Sequence, residues 1–155
     1  MIASSGAGES SGQVLKESFF FYGTLMDSDV LARVIGRPHR SIKTFRADAA
    51  GWRAVQGRGV TYPFLIADAI CHTEGVVISG ITPHELRRLK RFEGNEYAVG
   101  RVTVTIEGVG QVASRAFLPR FRNMPWCKVP WSIDVWRRRH KRGFMACLAD
   151  HGVYG

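Results

Sequence analysis

The stretch FFFYGTL, residues 19–25, decides the fold, because a wholly apolar strand stops there at a glycine. Four aromatic residues in succession are typical of a short strand that is buried on both faces. Gly23 lets the backbone bend and approach a ligand closely, since it carries no Cβ. The amides of Gly23, Thr24 and Leu25 would then lack ladder partners and can together bind a carboxylate or a phosphate. An ordinary turn from strand to helix is the alternative.

The remaining pattern predicts an α+β fold. Asp27 or Ser28 can cap a helix that runs to about Ile35, and TPHE at 82–85 has the form of a capping box with proline at the first helical position. Strands are predicted over 43–55 (one strand, or two with a bend at Gly51), 64–66, 75–78, 97–107 and 112–118, with a connection over 68–73, irregular chain over 119–130 and a last helix from Ser132. Most strands are expected to pair antiparallel in a curled sheet or small β-barrel flanked by helices.

Length and composition predict one domain. A chain of 155 residues can bury a substantial core without disulfides or a metal. Residues 1–17 are mostly rich in Ser and Gly, which favours a flexible N-terminal arm, and residues 18–155 are predicted to form a single domain. The first residues lack the features of a secretory signal, and no apolar run reaches the ~20 residues of a membrane span.

The cysteines and histidines indicate neither a disulfide framework nor a metal site. Cys71, Cys127 and Cys147 are odd in number and contain no CxxC pair. They are predicted to be mostly buried, reduced thiols of a cytoplasmic protein. The histidines show no metal-ligand spacing, so no metal is expected.

The net charge of +9 raises the question of a nucleic-acid partner. A cluster of basic residues, RRRHKR at 137–142, lies in the predicted last helix. The buried stripe of that helix is predicted to hold Ile133, Trp136, His140, Phe144, Cys147 and Leu148. No aromatic residues are interleaved with the exposed charges, so a solvated helix face is favoured and no nucleic-acid partner is expected.

Glu93 is the candidate base. It follows Phe92, at the end of a helical apolar stripe, and precedes Gly94. A carboxylate beside such a stripe is partly desolvated, which raises its pKa and makes it a better base near neutral pH. The alternative is a solvent-facing glutamate before a capping glycine. Glu96, in the tight loop that follows, is expected to be the more solvated of the two.

Four stretches together, in this order and spacing, resemble the γ-glutamylcyclotransferase-like family, which includes plant avirulence-induced proteins and γ-glutamylamine cyclotransferases. They are FYGTL at 21–25, GWR at 51–53 followed by YP at 62–63, TPHEL at 82–86 and FEGNEY at 92–97. The last helix, from Trp131-Ser132 through Trp136-Arg137, also fits. The similarity spans roughly Ser18 to Leu148.

The resemblance implies a compact β-barrel flanked by helices, with a ligand cavity at one end. The loop from Tyr22 to Leu25 would hold the α-carboxylate of the substrate through backbone amides, and Glu93 matches the acid/base glutamate of the family. Tyr97 would line the cavity, Tyr62 would close it, and Arg53 would provide a second contact to a carboxylate.

The implied reaction needs no cofactor. A γ-glutamyl amide or amine binds with its α-ammonium near Glu93, which takes a proton, and the freed amine attacks its own γ-carbonyl. The products are 5-oxoproline and a released amine. The alternative is a non-catalytic module of the same fold, which binds a small carboxylate or docks an acidic partner on its basic helix. Phe117 stands where many members have a tyrosine, so a hydroxyl that can reach the cavity is lost.

Overall fold

The computed structural model describes residues 17–120 and 125–151, with side chains described except at 128 and 149–151. Within these residues the strands are β1 (Phe19–Phe21), β2 (Thr44–Gly57), β3 (Pro63–Ile78), β4 (Tyr97–Ile106), β5 (Gly110–Pro119) and β6 (Trp126–Pro130). The α-helices are α1 (Ser28–Ile35), α2 (Pro83–Glu93), α3 (Ile133–Arg139) and α4 (Lys141–His151), and short 3-10 helices span Thr24–Met26 and His39–Ser41. The predicted N-terminal arm lies outside the described residues except for Glu17.

Strands β1 to β5 close into a barrel. β1 pairs antiparallel with β3 and parallel with β5, and antiparallel pairs then join β5 to β4 and β4 to β2. The long antiparallel pair of β2 with β3 closes the ring, and β6 adds to β2. The predicted α+β fold, a small barrel of mostly antiparallel strands flanked by helices, is confirmed.

β1 is buried on both faces, as its aromatic run predicts. Phe19 and Phe21 stack with their ring centroids 5.7 Å apart and pack with residues of the helices, including Leu89 and Trp136. Phe20 lies on the opposite face, in a cluster with residues of β2 to β5. Because β1 joins both clusters, the chain that follows it emerges between the barrel and the helices.

The local signals for α1 and α2 are confirmed. The side chain of Asp27 accepts hydrogen bonds from the amides of Asp29 and Val30, and Gly36 ends α1 with a positive φ of 77°. α2 begins with the complete capping box of Thr82 and Glu85. It ends at Gly94, whose φ of 78° is positive but whose ψ of −170° is extended rather than left-handed helical.

Three predicted segments differ from the structure. β3 is continuous through the predicted connection at 68–73, although its register with β2 skips residues 68–71: Ala67 pairs with Trp52 and the ladder resumes with His72 opposite Ala50. β6 forms within the predicted irregular segment by pairing with β2. The last helix breaks between α3 and α4 at His140, so His140 and Cys147 are exposed while Trp136 and Leu148 are buried.

The prediction that the cysteines are mostly buried is wrong. All three are free thiols, with Cys71 and Cys127 half-buried and Cys147 exposed. Among the residues that the structure describes, none of the helices combines the length and the apolar character that crossing a membrane requires.

Candidate active site

A small cavity lies where β1 ends. It is lined by residues 20–25 and by Tyr62, Pro63, Glu93, Tyr97 and Phe117. Its volume is about 30 Å³, which is close to the share of one water molecule in the liquid. The fold thus brings Glu93 together with the predicted turn at residues 23–25, although the two lie far apart in the sequence.

The turn after β1 begins at Gly23, and a 3-10 helix follows at once. Met26 N donates to Gly23 O at 3.0 Å as the 3-10 helix begins, so this helix does not use the amides of Thr24 and Leu25 in its own hydrogen bonds. Gly23 has a φ of −117°, which any residue can adopt. Space favours glycine here, since a Cβ would lie 3.1 Å from Cγ of Pro63 and the proline ring would have to shift by a few tenths of an ångström.

Glu93 is the last residue of α2 and is half-buried. Within residues 17–120 and 125–151 its carboxylate has neither an ion pair nor a hydrogen-bond partner. Burial raises the pKa of Glu93 from 4.5 to about 8, because removal from water penalises the charged form. This agrees with the predicted desolvation and not with a solvent-facing side chain.

The tyrosines around Glu93 are anchored through their hydroxyls. Tyr22 donates to the carbonyl of Phe117 at 2.5 Å, and Tyr97 donates to the carbonyl of Pro63 at 2.8 Å. Burial raises the pKa of Tyr22, and the charge of Glu93 raises it further. The pKa of Tyr97 is also raised, first by burial. Both hydroxyls therefore stay protonated at neutral pH.

Tyr62 stands at the edge of the same cavity. Its hydroxyl donates to Oε2 of Glu96 at 3.0 Å, at an exposed position. Burial and then the bond to Glu96 raise the pKa of Tyr62 to about 12. Among the residues that line the cavity, Glu93 is consequently the group that titrates near neutral pH.

Phe117 is buried and its ring stacks on Phe19 with centroids 5.2 Å apart. It lines the cavity without a side-chain hydroxyl, as its sequence position predicts. Its backbone carbonyl accepts from Tyr22, so a tyrosine hydroxyl from β1 does lie beside this position. The sequence carries no local signal for this contact, because it joins residues 95 positions apart.

The structure does not bring Arg53 to the cavity. Its Nε lies 3.2 Å from Oδ2 of Asp68, and its guanidinium lies over the ring of Trp126, 5.1 Å from the centroid. It lines a separate open groove of about 420 Å³ with His72 and Trp131. An irregularity between Ala50 and Trp52 shifts the pairing of β2 with β3, and this shift precedes Arg53.

A metal site is not evident in the described part of the chain. There, no group of three or more His, Cys, Asp or Glu side chains is arranged to hold an ion.

Comparison with known proteins identifies the family. The model of the family described as gamma-glutamyl cyclotransferase, AIG2-like, matches residues 19–129, so the chain belongs to this family. AIG2-like protein A of Arabidopsis thaliana is 28% identical over 139 residues, which cover 88% of this chain and 81% of that protein. AIG2-like protein D of the same plant is 28% identical over 137 residues, or 87% of this chain and 88% of that protein.

Solved structures show the same fold. A solution structure of an Arabidopsis thaliana protein has a TM-score of 0.62 at 24% identity, covering 84% of this chain and 87% of that one. A gamma-glutamyl cyclotransferase has a TM-score of 0.56 at 17% identity, covering 72% and 68%. The family resemblance inferred from the sequence is confirmed.

Proposed function

We propose that this chain is a cofactor-free γ-glutamylcyclotransferase-like enzyme with Glu93 as its general acid and base. The observation that carries the proposal is a half-buried, unpaired carboxylate with a pKa of about 8, which shares a cavity with the glycine turn at 23–25. Such a pKa suits proton transfer near neutral pH. Membership of the family and the fold shared with a gamma-glutamyl cyclotransferase support the same class of reaction.

The substrate binds through its two charged ends. Its α-carboxylate accepts hydrogen bonds from the backbone amides of the turn, chiefly those of Thr24 and Leu25. Its α-ammonium lies beside Glu93. A cation there favours the ionised carboxylate, so substrate binding lowers the pKa of Glu93 and produces the base that the reaction needs.

Cyclisation then proceeds within one molecule. Glu93 takes a proton from the α-ammonium, and the neutral amine forms a bond to the γ-carbonyl carbon. The bond from that carbon to the leaving amine breaks as Glu93 gives its proton to the leaving nitrogen. The ring nitrogen then loses its second proton to the same carboxylate, which passes it to solvent. The products are 5-oxoproline and a free amine. Holding the γ-glutamyl chain folded supplies much of the rate, because the attack is intramolecular.

Entry of the substrate requires the cavity to open. Its volume of about 30 Å³ is too small for a γ-glutamyl group. Tyr97 is buried and bound to the backbone, whereas Tyr62 is half-buried and bound at an exposed position. Tyr62 is therefore the lining side chain that moves at the lowest cost. The proposal also includes a cytoplasmic location, which the three free cysteines support.

Mass spectrometry tests this function directly. We would measure 5-oxoproline released from a panel of γ-glutamyl amino acids and γ-glutamyl amines by wild type, Glu93→Gln and Glu107→Gln. Glu107 is an exposed carboxylate outside the cavity and serves as the matched control. We expect product from wild type and Glu107→Gln, and a loss of roughly 10²–10⁴-fold in turnover for Glu93→Gln.

The outcomes separate the two hypotheses for the fold. Wild-type turnover by Glu93→Gln would contradict the assigned mechanism. If wild type releases no product from any substrate, the fold stands and the non-catalytic binding module becomes the better hypothesis. Binding of RNA that weakens steeply with salt would then favour a polyanionic partner over a small carboxylate.

A further inference from the structure

One arginine holds the turn that separates Glu93 from Tyr97. Nε of Arg120 donates to the carbonyl of Asn95 at 2.8 Å, and its backbone amide donates to the carbonyl of Glu96 at 2.8 Å. Its Nη2 donates to the carbonyl of Tyr97 at 3.2 Å. Three consecutive carbonyls of this turn are thus bound by a single residue at the end of β5.

The position of the Glu93 carboxylate depends on this backbone. In the described part of the chain no side chain forms a hydrogen bond or an ion pair with the carboxylate, so its position depends on packing and on the main chain that carries it. Gly94 follows at once and has no Cβ to restrict it, although its amide still donates to the carbonyl of Lys90 at 3.0 Å. Apart from that bond, the turn at 94–96 is held by hydrogen bonds from residues outside it.

Arg120 grips the turn from the side of the barrel. Tyr97 pairs with Pro119 at the end of the β4–β5 ladder, so Arg120 extends the pairing by one residue around the bend. Tyr62 bonds the Glu96 side chain in the same turn. Tyr62 reaches only a side chain of the turn, at an exposed position, whereas Arg120 binds the main chain at three carbonyls.

We propose that Arg120 is a positioning residue, which fixes the turn at 94–96 and thereby places the Glu93 carboxylate and the Tyr97 ring at the cavity. Its role in turnover rests on the proposed function, whereas its effect on the geometry of the turn is independent of that function. Arg120 acts through the backbone rather than through its charge, because burial alone accounts for the raised pKa of Glu93.

The test compares Arg120→Met and Arg120→Lys with a matched control, Arg101→Met. Arg101 is also exposed and donates to a backbone carbonyl across the same two strands, that of Ala113 at 3.3 Å. Two measurements are made on each variant: the carbon-13 NMR titration midpoint of the Glu93 carboxyl in the protein without substrate, and steady-state kinetics with the best γ-glutamyl substrate.

For Arg120→Met we expect the titration midpoint of Glu93 to fall by about one pH unit, because a looser turn admits water to the carboxylate. The other titratable groups that face Glu93 are Tyr22, Tyr62 and Tyr97, which stay neutral over this range, so the midpoint reports solvent access. We also expect kcat to fall about 10- to 100-fold with KM changed less than about threefold, since misplacement costs rate. Arg120→Lys should recover part of both, and Arg101→Met should match wild type.

The titration decides the proposal even if no substrate is turned over, which keeps its failure separate from failure of the proposed function. An unchanged midpoint in Arg120→Met would overturn it. An equal fall in Arg101→Met would overturn it too, because the effect would then be general loosening. If substrate is turned over, an unchanged kcat in Arg120→Met would remove the role in turnover.

Discussion

The two ends of α2 each hold a glutamate, and their surroundings shift the pKa values of the two carboxyl groups in opposite directions. Glu85, in the first turn, is buried at 6% exposure, yet Nε and Nη2 of Arg37 bind it at 2.5 and 2.9 Å. The amide of Thr82 adds a hydrogen bond at 2.9 Å. Burial alone would raise the pKa of Glu85, but the bonds from Arg37 and then Thr82 hold it below 4.5.

Glu93, the last residue of α2, has the higher pKa of the two. Burial raises the pKa of both carboxyl groups, but at Glu93 no bond or cation offsets it, so its pKa stays near 8. Glu85 is a structural ion pair that stays charged. Glu93 is a carboxyl group that is ready to exchange a proton.

Removing Arg37, the partner of Glu85, should have a larger effect on the free energy of unfolding than any change at Glu93 or Glu96. Arg37→Met leaves a buried carboxylate without its cation, and we expect a loss of about 2–3 kcal/mol, less than for a fully buried pair because Arg37 is partly exposed. The measurement is urea unfolding at pH 7 and at lower pH, with Arg33→Met, an exposed arginine of α1, as control.

The pH dependence of that loss has a definite sign. The folded pKa of Glu85 lies below its ordinary value of 4.5, so the stabilisation is present above pH 4.5 and is lost as the pH falls through the folded pKa. The gap between wild type and Arg37→Met should narrow in acid. A gap that is independent of pH, or no larger than that of Arg33→Met, would contradict the role of the pair.

Glu93→Gln should raise the free energy of unfolding, and by less than Arg37→Met lowers it. The unfolded chain ionises this group near pH 4.5, whereas the folded chain keeps the proton until about pH 8. Wild type therefore loses stability as the pH rises from 4.5 through 8. We expect Glu93→Gln to match wild type at pH 5 and to exceed it by on the order of 2 kcal/mol at pH 9.

Thermal unfolding at both pH values checks this, with Glu107→Gln as the control that should change little at either. A variant that is equally stable, or less stable, at pH 9 would show that the carboxylate is not penalised by burial.

The smallest effect concerns the exposed carboxylate in the next turn, Glu96. Tyr62→Phe removes the hydroxyl that donates to it, and we expect a cost of about 0.5 kcal/mol because water replaces the bond. Tyr97→Phe removes a buried bond to the carbonyl of Pro63, so it should cost about 1.5 kcal/mol. Equal losses in urea unfolding would contradict this ranking.

The parts that local chemistry controls could be predicted from the sequence. Thr82 and Glu85 stand three residues apart, so the capping box and the start of α2 follow from adjacent residues. The burial of β1 follows from its aromatic run. Glu93 became a candidate because Phe92 and the apolar stripe precede it, while its meeting with Gly23 was inferred from the family resemblance.

The parts that depend on distant pairing could not be predicted. Arg53 is predicted to contact a carboxylate in the cavity, but the β2–β3 pairing shifts at Gly51, whose φ is 85°, and a glycine bend does not determine which way the side chains after it face. The β2–β3 ribbon continues past residues 68–71 because paired residues flank them, Ala67 opposite Trp52 and His72 opposite Ala50. Helical periodicity placed His140 on the buried stripe, but the helix breaks there, with φ −126° and ψ −23°.

The place of β1 in the barrel bears on how the chain folds. Phe19 pairs with Ile78 on one side and with Arg115 on the other, and Ser18 bonds Ser114 at 2.8 Å across 96 residues. Closing so long a loop is entropically costly, so we expect β1 to dock late and slowly. Until β3 and β5 have both been synthesised, the run FFF at 19–21 lacks at least one of its partner strands, and we expect it to be prone to aggregate. The turn at 23–25 would then be completed in the last step of folding.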